Sequence, residues 1–236
     1  MRAAALYDRV ARVLPPRLAG SLDLTRPGFL ASWGGPLNGQ QQRQRMVREL
    51  ARVVDFDQVV ETGTFRGAST EFFAHVTGAA VRTVESSRRN YELARRRFTG
   101  LSNVEVSHGD SRPFLRALAQ DTADLTSLFY LDAHWQLELP LRDELEVIAS
   151  AWSRAVVLVD DFEVPGDAGY SYDDYGPGRK LTAAYLPRLA SWRAFYPAAP
   201  SSSETGARRG CVVLVSPPLV ATVSTLASLR PAPETP

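Results

Sequence analysis

Residues 59–69 read Val59-Val60-Glu61-Thr62-Gly63-Thr64-Phe65-Arg66-Gly67-Ala68-Ser69. Apolar residues lead into an acid, and two glycines four positions apart precede a helix-compatible stretch. This order is typical of a parallel-sheet strand whose following turn brings bare backbone close to a small ligand. A tight strand-to-helix turn without a ligand would use the same glycines, so the rest of the chain has to be weighed with it.

The acid before the first glycine favours a cationic ligand. A dinucleotide pyrophosphate binds glycine-rich backbone at a helix N-terminus, and Glu61 would repel it. The loop also lacks the middle glycine of the G-x-G-x-x-G fingerprint, which makes an NAD-dependent oxidoreductase the less favoured alternative. A ligand that carries an ammonium and a sulfonium, such as S-adenosylmethionine, would be attracted to the carboxylate.

Two further predicted strands end in polar acceptors. Residues 81–85 end in Glu85, where a carboxylate can bind both ribose hydroxyls of a nucleotide. Residues 104–108 run into Gly109, and Asp110 and Ser111 follow within reach of an adenine. Three consecutive strands that each end in a polar group predict one ligand crevice.

The rest of the chain alternates strand and helix, with strands at 128–131 and 155–159. This alternation predicts an α/β fold with a Rossmann-like, doubly wound sheet and helices on both faces. Residues 192–196 and 210–215 have no helix between them, which predicts an antiparallel C-terminal pair. The predicted sheet therefore has seven strands, mostly parallel.

Composition limits the class of protein. The chain has 236 residues with 44% hydrophobic and 22% charged residues, and a formal net charge of +1 argues against a nucleic-acid or membrane partner. Cys211 is the single cysteine, so an intrachain disulfide is excluded. No apolar run approaches the roughly 18 to 20 residues of a membrane span. Arg2, Arg9 and Arg12 interrupt any secretory apolar core, so we expect a cytoplasmic protein.

Acids also follow the fourth and fifth predicted strands, as Asp132 and as the pair Asp160-Asp161. Neighbouring strands lie about 4.8 Å apart, so adjacent strands would bring three mutually repelling carboxylates together. A divalent cation would relieve the repulsion, and all-oxygen ligation favours Mg²⁺, Mn²⁺ or Ca²⁺ over zinc. The alternative is that these acids cap helices or pair with arginines, for instance Asp132 with Arg142.

His134 lies two positions beyond Asp132. A neutral imidazole can accept a proton from a hydroxyl whose pKa a metal has lowered, although a lone histidine can equally be a hydrogen-bonding residue. Residues 163–180, rich in glycine and tyrosine, could fold over an acceptor as a lid or form an ordinary surface loop. Arg208 and Arg209 could bind an anionic acceptor or remain solvated.

At this point the motifs ETGTFRGAS, VESS, HGDS, LDAHW and VDDF resemble those of class I S-adenosylmethionine-dependent methyltransferases, over residues 57–162. Within that class the order resembles the metal-dependent O-methyltransferases that act on catechols and on sugars of macrolide antibiotics. The resemblance implies cofactor contacts from Glu61, Gly63, Thr64, Gly67, Ser69, Glu85, Asp110 and Ser111. It implies metal ligation by Asp132, Asp160 and Asp161. The catechol enzymes carry a lysine base after the strand-four aspartate, whereas this chain has no lysine in residues 133–136, so the resemblance leaves the base and the acceptor open.

We therefore expect in-line methyl transfer to a hydroxyl of a small molecule (a sugar, a phenol or another natural product), with Asp132 and His134 as catalytic residues. A metal-independent methyltransferase acting on N or O, or a cofactor-binding protein without activity, stays open, as does a homo-oligomer. The expected divisions are a helical substrate-capping segment at 1–54, the methyltransferase domain at 55–216 and a tail at 217–236. The tail is rich in Pro, Ser, Thr and Ala, which predicts partial disorder and one short helix at 223–229.

Overall fold

The computed structural model describes residues 13–135, 137–189 and 191–233. Residues 1–12, the start of the helical capping segment predicted at 1–54, lie outside these ranges. In the described part of the chain, every helix is too short or too polar to cross a bilayer.

Strands and helices alternate as the sequence predicts. The helices are α1 (Pro16–Asp23), α2 (Pro27–Leu30), α3 (Gln41–Val53), α4 (Ala68–Thr77), α5 (Arg88–Arg97), α6 (Ser111–Thr122), α7 (Leu141–Ala151) and α8 (Val220–Val223). The strands are β1 (Gln58–Thr62), β2 (Ala80–Glu85), β3 (Val104–His108), β4 (Ser127–Leu131), β5 (Ala155–Asp160), β6 (Arg193–Pro197), β7 (Cys211–Val215) and β8 (Leu229–Pro231).

The strands form one sheet in the order β3-β2-β1-β4-β5-β7-β6-β8. Strands β1 to β5 are parallel, whereas β7 runs antiparallel to both β5 and β6. The Rossmann-like sheet and the antiparallel C-terminal pair are confirmed. Strand order reverses between β1 and β4, and ligands of open α/β sheets bind at the carboxyl ends of the strands beside such a reversal.

The sheet has eight strands, so the prediction of seven is corrected. The last strand, β8, pairs antiparallel with the edge strand β6 between Phe195 and Pro231 and between Pro197 and Leu229. It has three residues and ends in proline, so it lacks the alternating apolar pattern by which strands are recognised in a sequence. Backbone pairing with an existing edge, which composition does not reveal, forms this strand.

The segment 217–233 is ordered, contrary to the predicted disorder. It forms a 3₁₀ turn at Pro217–Leu219, the single helical turn α8 in place of the predicted helix at 223–229, and then β8. Four apolar side chains spaced three or four residues apart are buried against the sheet: Leu219, Val223, Leu226 and Leu229. These buried side chains hold the segment against the sheet. Its Pro, Ser and Thr content alone gives no sign of that packing. Residues 234–236 lie outside the described ranges.

The core has two layers because the central strands are buried on both faces. In β4, Leu128 and Tyr130 pack into one apolar cluster, and Phe129 and Leu131 pack into the other. Successive strand residues point to opposite faces, so a continuous apolar run supplies both layers.

Helix α3 covers one face of the sheet with an apolar stripe. Met46, Val47 and Leu50 belong to the same cluster as the first face of β4. Arg43 continues this stripe by one turn toward the helix N-terminus and is only 3% exposed. The carboxylate of Glu204 accepts the amides of Gln42 and Arg43, at 2.9 and 3.1 Å, and so caps the start of the helix. Packing of α3 therefore carries a buried arginine to the carboxyl edge of the sheet.

Candidate functional site

Gly63 follows β1 where two loops come close together. Its φ is +90°, and a Cβ atom there would lie 2.3 Å from the carbonyl oxygen of Asp132. The amides of Gly63 and Thr64 both donate to the carbonyl of Val84, at 3.0 and 3.2 Å. The contact between neighbouring strand ends thus requires glycine, whether or not a ligand binds.

The other predicted cofactor residues of this loop also make contacts within the protein. Gly67 precedes α4 at φ +79°, and an aromatic ring lies where its Cβ would be. The Thr64 and Thr83 hydroxyls share a 2.6 Å hydrogen bond. The Ser69 hydroxyl accepts the amide of Leu37 at 3.0 Å. The loop is therefore shaped by its neighbours, and Ser69 ties it to the segment before α3.

Glu61 is a buried carboxylate with one oxygen unsatisfied. Its Oε2 accepts the hydroxyls of Thr70 and Thr83, at 2.5 and 2.7 Å, whereas Oε1 has no hydrogen-bond partner among the described residues. Burial raises the pKa of Glu61 to about 7. A buried acceptor without a donor is costly, and a cationic group at Oε1 would remove that cost. This oxygen fits the ammonium of S-adenosylmethionine.

Glu85 ends β2 and holds the neighbouring loop. Its two oxygens accept the amides of Phe65 and Ser87, each at 2.7 Å. Burial raises the pKa of Glu85. Each carboxylate oxygen has a second lone pair, so the group can still accept hydroxyls of a ribose.

Asp110 has a structural role that the sequence did not predict. It caps α6 by accepting the amide of Arg112 at 2.8 Å, and the Arg112 guanidinium binds both of its oxygens, at 2.9 and 2.5 Å. These hydrogen bonds lower the pKa of Asp110. Ser111 begins α6 and is buried. An adenine could contact Asp110 or Ser111 only alongside the hydrogen bonds and the packing that these residues already have.

Three side chains of types that can ligate a metal converge where β4 and β5 end. Ligand atoms of Asp132, His134 and Asp161 all lie within 4.8 Å of one another. Nε2 of His134 is 3.9 Å from Oδ1 of Asp132 and 3.6 Å from Oδ2 of Asp161. In the part of the chain that the structure describes, no group lies within hydrogen-bond distance and geometry of this buried nitrogen. Arg142 does not pair with Asp132 but donates to the carbonyl of Tyr185 at 2.9 Å. We call these three side chains the Asp–His–Asp group.

Asp160 is not part of that group, although the sequence predicted it as a metal ligand. Its carboxylate is fully buried and forms an ion pair with Arg43. Oδ2 also accepts Asn38 at 3.1 Å and the Tyr130 hydroxyl at 2.5 Å, and Oδ1 accepts the amide of Asp161 at 2.8 Å. A carboxylate with this many donors is satisfied by the protein. His134 takes the third position that the sequence assigned to Asp160.

Asp161 is shared between an arginine and the Asp–His–Asp group. Arg209 Nε donates to its Oδ1 at 2.5 Å, and the same guanidinium pairs with Asp173. Oδ2 of Asp161 faces His134. The sequence predicted that Arg209 binds an anionic acceptor or is solvated. In the structure its guanidinium contacts the two carboxylates instead. The predicted alternative of acids paired with arginines therefore holds for Asp160 and for one oxygen of Asp161.

The charges of the group depend on one another. Burial opposes ionisation of both His134 and Asp161, but their mutual contact and the neighbouring charges outweigh it. The pKa of His134 is raised to about 9, and that of Asp161 is lowered to about 2. Burial and the nearby carboxylates of Asp160 and Asp161 raise the pKa of Asp132. The raised pKa favours the protonated imidazole at neutral pH when no cation is bound, and His134 must lose that proton before it can act as a metal ligand or a base.

The segment 163–180, predicted as a lid or a surface loop, is anchored to the site. The amide of Asp173 donates to the carbonyl of Asp161 at 2.9 Å, and the amide of Leu181 donates to that of Asp173 at 3.0 Å. Tyr175 donates to the Asp173 carboxylate at 2.8 Å, and its ring meets the imidazole of His134 edge-on at 6.3 Å. The segment forms a wall beside the group.

Sequence reasoning missed several residues of the site. They are Asn38, Arg43, Tyr130, Asp173 and the pairing of Arg209. Two had a signal. Arg43 continues the apolar stripe of α3, and a cation on a buried face requires an acidic partner. Tyr130 lies two positions before Asp132 on a strand and thus on the same face.

The fold is shared with solved methyltransferases. The O-methyltransferase TomG from Streptomyces achromogenes, in complex with SAM, aligns with a TM-score of 0.53 and 18% identity over 74% of this chain and 79% of that one. The O-methyltransferase from Bacillus cereus, in complex with SAH, gives 0.56 and 17% over 90% and 97%. The cofactor-bound protein Rv0187 from MTB gives 0.58 and 20% over 91% and 96%.

No protein-family model matches the sequence, and a search of the curated proteins finds no match. The structural likenesses confirm the Rossmann-like methyltransferase fold that the motifs predict. At this level of identity the likeness establishes the fold, so function has to be inferred from the residues of the site.

Arg43→Met should destabilise the protein, because it leaves the buried Asp160 carboxylate without its cation. The expected loss in free energy of unfolding is about 3–5 kcal/mol, measured by urea denaturation. Arg52→Met, at an exposed position on the same helix, is the control and should stay within about 0.5 kcal/mol of the wild type. Equal effects of the two substitutions would contradict the role of the ion pair.

Proposed function

We propose that this protein is an S-adenosylmethionine-dependent methyltransferase that methylates a hydroxyl oxygen of a small molecule with the help of a divalent cation. One observation carries the proposal. The Asp–His–Asp group gathers at the carboxyl ends of β4 and β5, beside the strand reversal of a fold shared with O-methyltransferases solved with SAM or SAH. The acceptor would be a sugar, a phenol or another natural product.

Two acids on the other side of the strand reversal support the cofactor. S-adenosylmethionine would supply an electrophilic methyl group on a sulfonium. Glu61 would hold its ammonium through the unpartnered Oε1, and Glu85 would accept the ribose hydroxyls. Gly63 lies against the carbonyl of Asp132, so the loop after β1 and the loop carrying the Asp–His–Asp group are in contact. Donor and acceptor would thus be aligned by neighbouring strand ends, and such positioning can supply roughly 7–11 kcal/mol.

The Asp–His–Asp group would hold the cation. A bound divalent ion would lower the pKa of the acceptor hydroxyl. Asp132 and Asp161 would each offer one carboxylate oxygen, and His134 would offer Nε2 once its proton has left. Among Mg²⁺, Mn²⁺ and Ca²⁺, the imidazole favours Mn²⁺, because nitrogen ligands suit transition metals better than the harder ions.

A second candidate function is metal-independent methyl transfer with His134 as the base. It is favoured by the two arginine pairs, since Arg43 and Arg209 already offset part of the carboxylate charge. In this form His134 would have to lose its proton first. Activity would then rise with pH toward the raised pKa of His134, about 9, and would not respond to a chelator.

The metal requirement is tested by assaying S-adenosylhomocysteine release with a panel of catechols, phenols and glycosides. We expect turnover of at least one acceptor, loss of turnover with EDTA and recovery with Mn²⁺ or Mg²⁺. Asp161→Asn should lower activity at least about 100-fold, because a ligand charge is lost. Asp174→Asn, which removes an ion pair with Lys180, is the control and should retain activity. Full activity in EDTA would contradict the metal requirement and favour the metal-independent function.

Cofactor affinity should depend on pH through Glu61. Its pKa is about 7 in the free protein, and an ammonium beside it stabilises the ionised form. Binding below pH 7 must therefore release a proton, so affinity for S-adenosylhomocysteine should rise from pH 6 to 7 and level off above it.

Calorimetry in buffers of different ionisation enthalpy measures that proton release. Glu61→Gln should bind more weakly and without this pH dependence, whereas Glu105→Gln, on the exposed side of β3, should behave as the wild type. A flat affinity profile in the wild type would rule out contact between the ammonium and Glu61.

A further inference from the structure

A cavity of about 310 Å³ lies behind Arg43, away from the residues assigned to the cofactor and the cation. It is formed by the first turns of α3, the end of β6 and the turn before β8. Its lining comprises Gln40, Gln42, Arg43, Arg45, Met46, Glu49, Tyr170, Pro197, Ala198, Ala199, Glu204, Ala227 and Ser228. Its volume is at the lower end of the range of small-molecule sites.

Two residues of the lining each carry a polar side-chain atom without a partner among the described residues. These atoms are Nε of Arg43 and the hydroxyl oxygen of Ser228, and both are buried. A buried polar atom left unpaired costs about 1–3 kcal/mol. The Arg43 Nε–H can only donate, and the Ser228 hydroxyl can donate as well. Both atoms would be satisfied by an acceptor oxygen.

The charges around the cavity add a second constraint. Arg43 is paired with Asp160, and the Glu204 carboxylate is occupied by three backbone amides. Within the described ranges, the side chains of Arg45 and Glu49 have neither an ion-pair nor a hydrogen-bond partner. Arg45 lies one helical turn closer to the N-terminus of α3 than Glu49, so the end of the cavity near Arg45 favours an anionic group. The carboxylate of Glu49 disfavours a second anionic group on the same ligand.

The remaining lining is largely apolar. Met46, Tyr170 and residues 197–199 offer hydrocarbon and ring surface. We propose that this cavity binds a small organic monocarboxylic acid, with its carboxylate toward Arg43 and Arg45 and its apolar body against Tyr170 and β6. The inference does not rest on the proposed function, because the binding site shares no ligand-binding residue with it.

Benzoate is the probe, with uncharged benzamide as its matched control. Titration of ¹⁵N-labelled protein should give saturable shifts at the amides of Ala198, Ala199 and Ser228. Arg45→Gln should weaken binding about tenfold or more, because a charge-assisted contact is lost. Ala227→Trp should abolish binding by filling the mouth. Arg52→Gln, on the same helix outside the cavity, should bind as the wild type.

The outcomes are decisive in both directions. Saturable binding of benzoate that Arg45→Gln weakens and Arg52→Gln leaves intact supports the site. Absence of saturable binding, shifts elsewhere in the protein, or equal affinity in Arg45→Gln and Arg52→Gln would overturn it. Benzamide binding as tightly as benzoate would overturn the assignment of an acid. Arg45 is exposed, so its substitution keeps the test valid even if Ala227→Trp fails to fold.

Discussion

The ion pair between Asp160 and Arg43 is the interaction on which the arrangement of the site depends. Asp160 ends β5 with no exposed surface, and a buried carboxylate is tolerated only with charge and hydrogen bonds around it. Arg43 supplies the charge from α3, which must therefore pack against the carboxyl edge of the sheet. Asn38 and Tyr130 complete the shell. One carboxylate thus joins the segment before the first strand to β4 and β5.

This commitment of Asp160 decides what the other acids can do. Asp132 and Asp161 are left facing His134, and Arg209 takes one oxygen of Asp161 but not the other. Each acid has a different partner, so three neighbouring carboxylates coexist at one edge without all depending on an ion. A cation at the Asp–His–Asp group would add to an edge that is already partly neutralised, and it would have to displace the proton from His134.

The sequence predicted the sheet well because its central strands are buried on both faces. Short apolar runs between helical segments, such as Phe129-Tyr130-Leu131, are typical of buried parallel strands. Acids that follow such strands meet at the carboxyl edge of the sheet. What it could not predict were contacts between distant residues. Arg43 and Asp160 are 117 positions apart, and no local pattern says which acid an arginine will reach. Asp110 differs, since its partner is only two residues away in Arg112. The carboxylate of Asp110, predicted to contact the cofactor, instead caps the helix that follows it.

The central claim of the proposed function is that Arg43 withdraws Asp160 from the proposed cation site and that His134 completes that site. Pulsed electron paramagnetic resonance of Mn²⁺ bound to the protein tests this most directly, because an imidazole nitrogen on the ion gives a distinctive ¹⁴N modulation. The account predicts that modulation in the wild type and in Asp160→Asn, and its loss in His134→Gln. Bound Mn²⁺ without nitrogen coupling in the wild type, or an ion that Asp160→Asn abolishes and His134→Gln retains, would contradict it.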